Sequence, residues 1–230
     1  MSLPSKHALV VGASSGIGLA MAKQMAPLVT KLTLCSRSCP SDLISSIKER
    51  NPNAEVVYER LDMSSLHDVR RFTTKHANTK FDWVLLTAAA GQANIAPNLE
   101  DLGLKNSYSM NGVAHATVLY LDLMMQAMSE HAPKATFMHI EPGFVNTNLN
   151  ENTWWYIRLP LKLASFLLAE SPDDNAKGLM QAFTKEEYVC GWKLLNKRAE
   201  EVQKTKFHTD ELKDIVWEHT LQTIDDVLQQ

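Results

Sequence analysis

The chain has 230 residues, 45% hydrophobic and 21% charged, with a formal net charge of -3. A chain of that length buries a core without covalent staples, and a single domain over 1–230 is the expected organisation. The slightly acidic balance excludes a general attraction to nucleic acid or anionic lipid, and the three cysteines, Cys35, Cys39 and Cys190, lack the spacing of a disulfide framework or zinc site.

Read in chain order, short apolar or β-branched runs alternate with segments of helical period. HALVVG precedes GIGLAMAKQMAPL, KLTLCS precedes SDLISSIKERN, and EVVYERL precedes SSLHDVRRFTTKHA. FDWVLLTAAA is followed by a long segment near 104–131 and then by ATFMHIEPG. This alternation predicts a doubly wound α/β fold, a parallel sheet with helices on both faces. Ser41 is the expected cap of the second helix, with Leu43, Ile44 and Ile47 on one side, and Ser64 is expected to open the third. His139 is expected to pack at a strand end, and Glu141 to be a solvated strand-end acid.

The first residues, MSLPSKHALVV, show no apolar run with a cleavage site, so a cytoplasmic protein is expected. Towards the end, LPLKLASFLLA (159–169) is about 11 residues long and contains Lys162, whereas a membrane-spanning helix needs about 20. With Trp154, Trp155 and Tyr156 before it, the stretch 154–169 could touch a membrane peripherally, cover an apolar ligand, or form a partly buried core helix. Ser171-Pro172-Asp173-Asp174 predicts a helix through Phe183, and GWKLLN (191–196) predicts a last strand. TDELKDIVWEHTLQTIDDVLQQ predicts an amphipathic C-terminal helix with Leu212, Ile215, Val216, Leu221, Ile224 and Val227 on its apolar side. Residues from about 150 to 230 are thus expected to form a lid and a terminal helix.

The stretch VGASSGIG carries the clearest chemistry. A strand ends at Val11, glycines follow at positions 12, 16 and 18, and an apolar helix begins at once. Gly12 permits the sharp turn, Gly16 lets a pyrophosphate approach the backbone, and Gly18 lets the helix pack closely on the strand. The helix N-terminus, which includes Ile17, faces the negative charge, and the hydroxyls of Ser14 and Ser15 add hydrogen bonds to phosphate or ribose. The competing reading is an ordinary tight strand-to-helix turn.

This Gly-x-x-x-Gly-x-Gly loop, LCSRS after the second strand, LDMS after the third, and EPGFVNT after ATFMHI resemble, in that order, the short-chain dehydrogenase/reductase family over most of the chain. The family places a cofactor-selecting residue after the second strand. The resemblance puts Arg37 there, where a guanidinium matches a 2′-phosphate, and so implies NADP (NADPH); a plain surface arginine is the alternative. It further implies that Asp62 accepts from the adenine amino group with Met63 beside the ring, and that Pro142, Gly143 and Thr147 flank the nicotinamide. NSYS, FMHIEPGFVNT, GWKLLN and VWEHT resemble a fungal branch met in secondary-metabolite pathways, which implies a small apolar substrate of polyketide or terpenoid type.

Tyr108, 34 residues before Pro142, aligns with the family's proton-transferring tyrosine. A phenol, with a pKa of about 10, needs a neighbouring cation to work near neutrality. The family's lysine four residues on is Gly112 here, its serine thirteen residues before is Ile95, and its Asn-Asn-Ala-Gly stretch is Ala88, Ala89, Ala90 and Gly91, with Thr87 the nearest hydroxyl. Lys105 shares a helical face with Tyr108 if the helix already extends there, and His115 lies two turns later. The Gly12 to Tyr108 spacing falls short of the family's by about one helix and one strand. A doubly wound sheet survives the loss of such a pair, but the family's main dimer interface lies in that block, so no oligomeric state is implied. Three functions stay open: an NADP-dependent oxidoreductase acting on a carbonyl or secondary alcohol, a catalytically inactive cofactor-binding regulator or scaffold, and a non-redox isomerase or cyclase.

Overall fold

The structure is a computed structural model that describes residues 5–87, 95–146 and 169–230. Its elements are β1 (His7–Val11), α1 (Gly16–Met25), β2 (Lys31–Ser36), α2 (Leu43–Lys48), β3 (Glu55–Arg60), α3 (Leu66–Lys75), β4 (Trp83–Leu86), α4 (Met110–His131), β5 (Thr136–Ile140), α5 (Pro172–Thr184), β6 (Gly191–Leu195) and α6 (Asp210–Leu228). They fall into two compact units, Met1–Thr87 with Phe144–Phe183, and Ala88–Gly143 with Thr184–Gln230.

In the first unit four parallel strands lie in the order β3-β2-β1-β4. β1 is flanked on both edges and apolar on both faces, Ala8 and Val10 on one and Leu9 and Val11 on the other, all buried. A central parallel strand covered on both sides requires such an unbroken apolar run. Leu9 and Val11 join Cys35, Leu61 and Phe72 in one core cluster, with Val69 and Phe81 packed against it. Burial pushes the Cys35 thiol up to about 12, with the Glu59 carboxylate adding to it, so Cys35 is a core residue and not a nucleophile.

Two expected caps are corrected. Ser64 does not open α3, because its hydroxyl is drawn to Asp62 Oδ1 at 2.7 Å. Ser65 is the cap instead, its Oγ accepting from the Asp68 N–H at 3.3 Å. Ser41 caps nothing: α2 starts at Leu43 after Asp42, which has helical φ and makes no side-chain cap bond. Ser65→Ala is therefore expected to lower stability by about 1 kcal/mol in urea unfolding, and Ser41→Ala by less than about 0.5 kcal/mol.

In the second unit β5 and β6 pair in parallel, with His139 opposite Leu194. α4 and α6 pack through Val118, Leu119, Leu123, Leu212 and Val216. Buried Lys213 reaches both oxygens of Glu130 at 2.7 and 2.8 Å, and His131 stacks on Trp217 with ring centroids 4.8 Å apart. The apolar side of α6 is only partly used, since Leu221 is 42% exposed.

The long segment near 104–131 is not helical at its start. The Asp101 carboxylate accepts from the N–H groups of Lys105, Asn106 and Ser107, which holds that stretch as a loop. Ser109 then caps α4 by accepting from the Gly112 N–H at 3.0 Å. Lys105 and Tyr108 thus precede the helix and share no helical face with each other or with His115. The expectations for Ala88, Ala89, Ala90, Gly91, Thr147 and the run from Trp154 through 168 lie outside the described residues. Among the described residues no helix is long and apolar enough to cross a membrane.

Candidate functional site

The loop between β1 and α1 is built around backbone that favours glycine. Gly12 has φ +88° and Gly16 has φ +56°, in the left-handed region. The N–H groups of Gly12 and Ala13 both donate to the Cys35 carbonyl at 2.8 and 3.1 Å, which ties the turn to the end of β2. Thr87, just past β4, donates its hydroxyl to Val11 O at 3.0 Å. That hydroxyl occupies the place of a side chain at position 12, since a Cβ on Gly12 would lie 2.0 Å from it. A Cβ on Gly18 would lie 2.2 Å from the Gly12 carbonyl oxygen, so the bare Gly18 sets how closely α1 approaches the turn.

Ser15 is the N-cap of α1 in extended conformation, and its side chain makes no capping bond. No acidic side chain lies in the first turn. The N–H groups there and the helix dipole therefore face a region with no carboxylate from the helix itself, a chemistry that suits a phosphate. Ser14 and Ile17 are half-buried and Ser15 is exposed, so the loop lies at the surface of its unit.

At the carboxy ends of the neighbouring strands, Ser36 donates its hydroxyl to Ser38 O at 2.8 Å and Tyr58 donates to Ser36 O at 2.8 Å. These bonds fix the turn that carries Arg37. Arg37 is exposed and makes no hydrogen bond or salt bridge among the described residues. Asp62 Oδ1 accepts from the Ser64 N–H at 3.0 Å and from the Ser64 hydroxyl at 2.7 Å. The Ser64 hydroxyl, then its N–H, hold the Asp62 carboxyl below its ordinary value, with the charges of Arg37 and Arg60 adding to the effect. Met63 is 51% exposed beside it. Gly12 to Gly18, Arg37, Asp62 and Met63 all belong to the first unit.

Tyr108, Pro142 and Gly143 belong to the second unit. Tyr108 is 68% exposed, and its hydroxyl meets Met110 Sδ at 3.3 Å. Gly112 is no vacancy for a lysine, since a Cβ there would come 2.8 Å from the capping Ser109 Oγ. Gly143 has φ +72°, and the stem of Lys197 crosses its bare α-carbon, with Cδ 3.1 Å from where a Cβ would stand. The Glu141 N–H donates to Leu195 O at 2.8 Å, which extends the β5–β6 pairing to the edge of this turn.

One charged cluster escaped the sequence reading. Buried Asp122 on α4 accepts from His139 Nδ1 on β5 and from His208 Nε2 at 3.1 Å. His208 Nδ1 accepts from the Thr205 N–H at 2.9 Å, so its proton sits on Nε2 and points at the carboxylate. Burial pushes the Asp122 carboxyl up, but the two imidazole donors outweigh it and the net is a lowered pKa. His139, expected only to pack, is thus one arm of a hydrogen-bonded clamp on Asp122. The available signal was an aspartate inside the apolar run VLYLDLMM, on the same helical face as Leu119.

A family model described as short chain dehydrogenase matches residues 6–129. Human polyprenol dehydrogenase is 23% identical over 257 aligned positions, covering 85% of this chain and 78% of its own length. The short chain dehydrogenase resG of Aspergillus sclerotiorum is 29% identical over 141 positions, covering 59% of this chain but 39% of its own length. Among solved structures, the MalC reductase/Diels-Alderase from Malbranchea aurantiaca superposes with a TM-score of 0.61 at 17% identity, over 86% of this chain and 96% of the other. A putative short-chain dehydrogenase/reductase from Burkholderia multivorans with bound NADP gives a TM-score of 0.59 at 16% identity, over 87% and 100%. These structures share the fold.

Proposed function

The chain belongs to the short-chain dehydrogenase family, and from that membership we propose that it is an NADP-dependent oxidoreductase, reducing a carbonyl or oxidising a secondary alcohol of a small apolar metabolite. The observation that carries this is the β1–α1 turn, whose left-handed glycines and carboxylate-free helix start suit a pyrophosphate, beside the guanidinium of Arg37, which is unengaged among the described residues. In this reading Gly12, Ser14, Ser15, Gly16, Ile17 and Gly18 hold the pyrophosphate, and Arg37 takes the 2′-phosphate. Asp62 and Met63 meet the adenine, while Pro142 and Gly143 meet the nicotinamide. The cofactor supplies the hydride. Tyr108 carries the proton at the substrate oxygen, so Tyr108→Phe is expected to remove turnover while leaving cofactor binding in place.

The test is a titration with NADPH and NADH followed by nicotinamide fluorescence. Tighter binding of NADPH supports the reading; binding of neither overturns it. Charge-assisted bonds to a phosphate contribute about 1.5–3 kcal/mol, so Arg37→Ala is expected to weaken NADPH binding roughly tenfold to a hundredfold and to leave NADH nearly unchanged.

A second reading, a cofactor-binding protein without turnover, is favoured by one observation. The hydroxyl of Tyr108 rests on the Met110 thioether, with no ammonium bonded to it among the described residues. NADPH binding without oxidation across a panel of aldehydes and ketones would select that reading. The resemblance of NSYS, FMHIEPGFVNT, GWKLLN and VWEHT to a fungal secondary-metabolite branch makes such metabolites the first substrates to screen.

A further inference from the structure

Arg37 has a neighbour of the same charge. β2 and β3 stay in register to their last residues, Ser36 opposite Arg60, and the Leu61 N–H donates to Ser36 O at 3.0 Å. Arg37 follows Ser36 directly. Two arginines therefore leave the carboxy ends of adjacent parallel strands, whose spacing is about 4.8 Å. Both are exposed.

Arg60 is only loosely engaged. Its Nη1 lies 3.8 Å from Asp68 Oδ2, beyond a good hydrogen bond. Asp68 does not depend on it, because Oδ1 is held by Arg71 at 2.8 Å and Oδ2 takes the Asp62 N–H at 2.9 Å. Arg71 and Asp68 offset each other. Asp62 offsets one of the two remaining guanidiniums, and a single positive charge is left over. With either Arg37 or Arg60 gone, the cluster loses that excess positive charge and one of its two guanidinium donors, and its preference for a phosphate over a hydroxyl weakens. Both guanidiniums, after the two Ser64 donors, help to lower the pKa of the Asp62 carboxyl.

We propose that Arg60 is a second specificity-determining residue, holding the 2′-phosphate of NADP(H) jointly with Arg37. The proposal rests on the NADP reading above. One guanidinium fork takes two phosphate oxygens, and the third is left for a second donor approaching from the side. Arg60 leaves its long contact with Asp68 to do so, and Arg71 keeps that carboxylate satisfied.

The experiment is a titration of NADPH and NADH, by nicotinamide fluorescence, against the unaltered protein, Arg60→Gln, Arg60→Lys, Arg37→Gln and the double glutamine variant. Arg60→Gln is expected to weaken NADPH binding about tenfold and to change NADH binding by less than about twofold, with Arg60→Lys in between. The double variant is expected to bind the two cofactors equally. The Arg60 side chain is 62% exposed, so its variants fold, and an unchanged melting temperature confirms it. If Arg60→Gln keeps the full NADPH preference while Arg37→Gln loses it, the role of Arg60 is overturned and the cofactor reading stands. Equal weakening of both cofactors by Arg60→Gln also overturns it, since the effect is then not directed at the 2′-phosphate. An unaltered protein that prefers NADH, or binds neither, overturns the cofactor reading and the proposal with it.

Discussion

Gly12→Ala is expected to abolish cofactor binding and to destabilise the first unit by about 2–4 kcal/mol. The methyl group would stand 2.0 Å from the hydroxyl oxygen of Thr87 and 3.3 Å from its Cβ. That hydroxyl cannot simply turn aside, because it donates to Val11 O, and the Thr87 N–H donates to the same carbonyl at 3.2 Å. Alanine would also have to hold φ +88°, where L-residues are strained by roughly 1–2 kcal/mol. Either β4 moves away from β1 or the turn rotates, and rotation breaks the bonds from Gly12 and Ala13 to Cys35 O. Urea unfolding and NADPH titration measure the two effects. The pair Gly12→Ala with Thr87→Ala removes the clash but not the φ strain, so partial recovery of about 1 kcal/mol is expected relative to additivity. Full recovery would show that strain at position 12 is negligible.

Asp122→Ala is expected to cost about 3–5 kcal/mol in the second unit, because it leaves two buried imidazole donors without their acceptor. The carboxylate joins α4 to β5 and to the turn before α6, so its loss loosens three segments at once. The same cluster sets an acid limit. Asp122 has a folded-state pKa below the ordinary 3.8, so its contribution is fully present above that value and is lost as pH falls through the lowered one. The unaltered protein should therefore lose stability steeply on the acid side, and Asp122→Ala should show a shallower acid limb in unfolding measured as a function of pH. An identical limb in both proteins would remove Asp122 from the account of acid unfolding.

The alternating strands and helices were legible because periodicity is local. KLTLCS became β2 with the same bounds, EVVYERL became β3 one residue shorter, and within ATFMHIEPG the strand β5 covers TFMHI. The glycine loop was equally legible, since a left-handed φ at the end of a strand leaves few residue choices. Helix starts fared less well. Ser64 and Ser65 are chemically equal candidates for a cap, and Asp62, two residues before Ser64, decides between them by capturing one hydroxyl. The start of α4 moved for a similar reason, because Asp101 gathers the N–H groups of Lys105 to Ser107 that an earlier helix start would have used.

The sequence by itself determined the fold class, the glycine-rich turn and the family, because each rests on short-range patterns: period, glycine φ and motif order. Only the tertiary structure decided why Gly12 is obligatory, through Thr87 at a separation of 76 residues. It also decided that Asp122 would find His139 and His208, 17 and 86 residues away, and that Arg60 would stand beside Arg37. The physical reason is the same in each case. Backbone propensity is set within a turn or a strand, whereas the partner of a charged side chain is set by strand register and helix packing, which bring together residues that nothing in the local sequence connects.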